Sequence, residues 1–66
     1  MSQREANLVC LRDVLEHLSS TQKQLEWAED RPTVLLLTEN MLRDLERCTR
    51  LCESLRQRAG VHRVSV

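Results

Sequence analysis

The sequence predicts an all-α fold: an antiparallel two-helix hairpin that completes a four-helix bundle by oligomerisation. Three observations carry that expectation. The 66 residues include one Gly, one Pro, one Trp and no Phe or Tyr, so the chain lacks the turn residues and aromatics that barrels, sandwiches and disulfide knots require. Leucines recur at helical spacing through both halves of the chain. The single proline, Pro32, stands between those halves. With 41% apolar and 30% charged residues, the chain has room for one small domain, which excludes a two-domain enzyme. Ten basic side chains balance ten acidic ones, which removes the electrostatic case for a nucleic-acid or membrane-surface partner.

Ser2 followed by Glu5 is a capping box, in which each side chain satisfies an amide that the helix start leaves unpaired. A first helix is therefore expected over about residues 3–30. Leu8, Leu11, Leu15, Leu18 and Leu25 follow a spacing of three and four that Gln22 alone interrupts, and Leu11, Val14, Leu18, Leu25 and Ala28 trace an overlapping second stripe. The combined face is wider than a two-stranded coiled-coil seam and fits a helix with two neighbours. Ser19-Ser20-Thr21 lowers helix propensity, since these side chains compete for backbone hydrogen bonds, and marks the place where the helix would kink. The leucine phase passes through it undisturbed, which favours one continuous helix.

Proline disfavours the α conformation in the residue before it and is itself well placed in a first helical turn. The turn is accordingly expected at residues 30–32 and the second helix over about 32–59, with Gly60 as its terminator. Val34, Thr38, Met41, Leu45, Cys48, Cys52, Leu55 and Ala59 alternate at four and three, and Leu35, Leu42 and Leu51 widen the stripe. At about 1.5 Å per residue each arm is roughly 40 Å long. Folding at the turn pairs residues whose numbers sum to about 62, so Leu8 meets Leu55, Leu11 meets Leu51 and Cys52, Leu15 meets Cys48, Leu18 meets Leu45, and Leu25 meets Leu37 or Thr38. Residues 1–60 thus form the hairpin and residues 61–66 a short tail.

Two helices cannot cover both sides of such wide stripes, and a chain of this size buries only about 60% of its unfolded surface. Each half-exposed Leu withdrawn from water contributes on the order of 1 kcal/mol, enough in aggregate to drive association. A second copy related by a two-fold axis, giving a homodimeric four-helix bundle, is one solution and a different helical partner is the other. The candidate interface residues are Leu8, Leu11, Val14, Leu15, Leu18, Leu25, Trp27, Leu35, Leu36, Met41, Leu42, Leu45, Leu51 and Leu55. Val34 to Leu37 form four consecutive apolar positions that point all round a helix, so Leu36 and Trp27 are expected to share a patch near the bend, or Trp27 to cap the core. Residues 1–31 carry four basic and six acidic side chains and residues 32–66 six basic and four acidic, a net −2 against +2 that favours antiparallel contact.

Candidate chemistry is sparse. Cys48 and Cys52, one turn apart, make a metal half-site, but only Cys10 lies across from them and His17 is about 10 Å further along its helix, so small buried thiols are the expected role and no metal or cofactor is assigned. A Cys10–Cys52 disulfide is conceivable in an oxidising compartment; three cysteines in an odd set fit a reducing cytoplasmic or nuclear one better. The charged N-terminal residues are not expected to be a secretory leader, and the longest apolar run, Val34 to Leu37, is far too short to span a bilayer. No nucleophile with a base and oxyanion donors is present, and no catalytic residue is assigned. Arg43, Arg47, Arg50, Arg56 and Arg58 are interleaved with Glu39, Asp44, Glu46 and Glu53 and lack an aromatic platform, as on a solvated face. Val64, Ser65 and Val66 resemble a class II PDZ ligand, whose last and third-from-last residues are apolar.

The sequence therefore points to a non-enzymatic protein–protein interaction module, a hairpin that self-associates or joins a larger scaffold or adaptor complex. Presentation of the tail to a PDZ domain, and more distantly a cysteine-based metal or redox module, are the alternatives.

Overall fold

A computed structural model describes residues 2–58, which form two α-helices and no strand. Helix α1 spans Gln3–Trp27 and helix α2 spans Arg31–Arg58. The tail at residues 61–66 and the terminator at Gly60 lie outside the described residues.

The start of α1 is the expected capping box. Ser2 Oγ accepts from the Glu5 amide at 3.1 Å, and Glu5 Oε1 accepts from the Ser2 amide at 3.0 Å. The helix runs without interruption through Ser19-Ser20-Thr21. Thr21 donates its hydroxyl to the His17 carbonyl at 3.0 Å, so this polar group is satisfied along its own helix while the residue is buried between the two.

α1 ends at Trp27, three residues short of the expected boundary, because the chain needs an extended stretch to reverse. Ala28 is already extended (φ −75°, ψ 129°) and its amide donates back to the Leu25 carbonyl at 3.2 Å. Asp30 then begins the next helix. Its carboxylate accepts from the Thr33 amide at 3.0 Å and the Thr33 hydroxyl at 2.7 Å, and its carbonyl accepts from the Val34 amide at 3.2 Å. Pro32 thus sits in the first turn, where its missing amide deprives the helix of no bond. α2 starts at Arg31, one residue before the proline and not on it.

The arms are antiparallel: Asn7, near the start of α1, donates to Ser54 near the end of α2 at 3.0 Å, and His17 donates to Asp44 further in. Between them runs a regular seam of alternating four- and three-residue steps, Asn7, Leu11, Val14, Leu18, Thr21 and Leu25 on α1 with Ala28 just past its end, and Val34, Leu37, Met41, Asp44, Cys48, Leu51 and Leu55 on α2. Every one of these side chains is buried or half-buried. The register set by the two cross-hairpin bonds places Leu11 opposite Leu51 and Leu25 opposite Leu37, as the pairing rule predicts.

Elsewhere both helices are rotated by one position from the expected layers. Asn7, Val14 and Asp44 occupy the places expected of Leu8, Leu15 and Leu45. The rotation is tolerated because the polar groups it buries find partners: Asn7 bridges Gln3 and Ser54, Asp44 accepts from His17 and lies 3.9 Å from Arg47, and among the described residues no buried side-chain nitrogen or oxygen lacks a hydrogen-bond partner.

The Asp30 cap generates a pH prediction. The Thr33 hydroxyl and then the Thr33 amide, both donating to the carboxylate, hold its pKa below the ordinary value. A depressed carboxylate stabilises the fold above its unfolded pKa, near about 3.9, and that contribution disappears as pH falls through the lower folded value. Asp30→Asn should therefore melt below wild type at neutral pH, and the two melting temperatures should converge as pH falls below the folded value, as followed by circular dichroism.

Candidate functional site

The rotated seam divides the candidate interface residues into two sets. Leu11, Val14, Leu18, Leu25, Met41, Leu51 and Leu55 lie between the helices. Leu8, Leu15, Trp27, Leu35, Leu36, Leu42 and Leu45 are exposed, Leu42 at 64% and Leu45 at 49%. The outward set is mostly ordered. On α2, Leu35, Thr38, Leu42, Leu45, Thr49 and Cys52 repeat at alternating three- and four-residue steps, a second stripe beside the seam. Leu8 and Leu15 each follow a seam residue of α1, as Thr38, Leu45 and Cys52 each follow one of α2. In an antiparallel pair such positions border the seam on the same side. They form one apolar face across the hairpin, widest along α2.

The opposite side of the seam is polar. It carries Cys10, His17 and Gln24 from α1, and Asn40, Arg47 and Ser54 from α2, and it holds both hydrogen bonds that cross the hairpin. The hairpin is thus two-faced about its seam, with its internal polar bonds on one side and its uncovered leucines on the other.

The edge of the apolar face is charged in a regular way. Glu39, Glu46 and Glu53 stand seven residues apart on α2, each one residue after a member of the outer stripe and four after another, so they form a column along its outer border. One of them, Glu39, also lies 3.8 Å from Arg43 on the far side of the column, with both side chains largely in solvent.

Trp27 and Leu36 do not meet. Trp27 borders a shallow cleft at the bend with Gln24, Ala28, Asp30, Thr33 and Leu37, and at 82% exposure it does not cap the core. Leu36 lines a separate groove along α2 with Leu35, Thr38, Glu39 and Leu42.

The cysteines are free thiols: Cys48 is half-buried in the seam, and Cys10 and Cys52 are exposed. Cys10 lies in a cleft with Arg47, Arg50 and Leu51, while Cys52 lines the groove with Leu45, Thr49 and Arg56 on the other side of the seam, so the hairpin does not bring this pair together. Among the described residues no three His, Cys, Asp or Glu side chains are grouped to hold a metal ion, and no helix is long and apolar enough to cross a membrane. Val64, Ser65 and Val66 lie outside the described residues.

The polar members of the seam, Asn7, Thr21 and Asp44, escape a reading that seeks only apolar stripes, although they sit at the alternating spacing of the leucines around them. Comparison with protein-family models, curated proteins and solved structures finds no match for this chain.

Asp44 offers a direct check of the seam. Replacing a buried, paired carboxylate with the similarly branched leucine removes its desolvation cost and completes the layer with Leu18, while His17, largely in solvent, can hydrate in place of the lost bond. Asp44→Leu should stabilise the hairpin, read as a higher urea midpoint at unchanged slope.

Proposed function

We propose that this chain is a non-enzymatic protein–protein interaction module, a helical hairpin that supplies two helices to a larger bundle, as an oligomer or as one component of a scaffold or adaptor complex. The observation that carries this reading is the distribution of leucine. The seam closing the hairpin accommodates Asn7, Thr21 and Asp44, whereas Leu15, Leu35, Leu42 and Leu45 stand roughly half in water on the face beside it. A chain selected only to fold as a lone hairpin would gain by exchanging these positions. Covering the outer stripe contributes on the order of 1 kcal/mol for each half-exposed leucine, a large increment for a domain of this size. Three free thiols, two of them exposed, fit a reducing intracellular setting.

The reading makes the hairpin and its association separable. Leu42→Asp with Leu45→Asp should leave the helical circular dichroism of the isolated chain unchanged, because both positions face solvent. Val14→Asp should abolish it, because burying an unpaired carboxylate costs about 3 kcal/mol or more. The wild-type melting temperature should rise when a leucine-striped amphipathic peptide is added, by mass action, and the double variant should lose that response. A melting temperature insensitive both to chain concentration and to any such peptide would overturn the proposal.

A further inference from the structure

Building on that association role, we infer that the outer stripe of α2 is shaped for a helix of a different chain, amphipathic and bordered by Lys or Arg, and not for a second copy of this one. The stripe runs from Leu35 to Cys52, about 26 Å, so its occupant is a helix of roughly five turns. The charge of the border selects it. Glu39, Glu46 and Glu53 flank the stripe along its outer edge, where the flanking residues of a docked helix would lie, and a basic column there places opposite charges side by side.

A second copy lying antiparallel on this face matches it poorly through either helix. If α2 packs antiparallel on its counterpart, the two leucine stripes are complementary, but the glutamate columns face each other and like charges oppose the contact. If α1 packs there antiparallel instead, its outward face offers Leu8 and Leu15 and then turns to Ser19, Gln22 and Glu26, leaving the leucines nearest the bend against polar groups. A separate helix in the groove escapes both difficulties, touching Leu8 and Leu15 on one wall and Leu42 and Leu45 on the other.

Two synthetic peptides of about 21 residues, with one leucine stripe in common and either Lys or Glu along its border, test this by fluorescence anisotropy against the full chain. The Lys-bordered peptide should bind about tenfold more tightly at low salt, and the ratio should shrink as salt rises. Glu39→Lys, Glu46→Lys and Glu53→Lys together should invert the preference; the corresponding Gln variant, should the charge reversal cost helicity, should erase it. Equal binding of the two peptides overturns the inference. Sedimentation separates the remaining outcomes. A chain that dimerises while binding neither peptide makes the occupant a second copy, which sinks this inference and leaves the association role standing. A chain that stays monomeric and binds neither sinks both.

Discussion

Two stripes on one helix compete for one neighbour, and that competition organises the whole molecule. A two-stranded antiparallel seam engages two positions in seven on each helix. Nearly all the apolar residues of α2 fall at four positions of its heptad, in two columns side by side, and α1 can cover only one of them. The seam takes Val34, Leu37, Met41, Cys48, Leu51 and Leu55 together with a buried aspartate, and the column headed by Leu35 and Leu42 is left to the solvent. Burying Asp44 and Asn7 without partners would be prohibitive. The His17 and Ser54 side chains, each on the facing helix, make that choice of seam sustainable.

Much of this architecture is legible in the residues because the relevant signals are local. Ser2 and Glu5 announce the first helix, the leucine phase carries it across the serines, and Pro32 marks the reversal, since each acts within one or two turns of backbone. The antiparallel register follows from the position of the turn. The rotation of the helices about their axes does not, because Leu11, Leu18 and Leu25 belong to both possible stripes of α1, and the decision between them rests on contacts between residues 27 and 47 positions apart. The Asp30 cap is readable in principle: an aspartate three residues before a threonine, at a helix start, is a capping pattern that the proline beside it overshadows.

The candidate site was legible in its membership and not in its division. All fourteen interface candidates come from the apolar pattern; that seven of them are spent inside the hairpin and seven face out is a tertiary fact. Trp27 shows why. As a large aromatic near a turn it reads as a core cap, but the helix carrying it ends on that residue, and the seam reaches past it to Ala28. The glutamate column at residues 39, 46 and 53 acquires meaning only when the leucines beside it prove to be uncovered.

The two polar bridges across the hairpin also govern its sliding. Shifting α2 along α1 by one heptad would keep leucine against leucine in much of the seam, and an all-apolar interface would charge little for the error. Here the same slip would pull Asn7 from Ser54 and Asp44 from His17 at once, so the pairs act as alignment pins. The uncovered leucines are consequently presented on a ruler whose zero mark is set from the opposite side of the molecule.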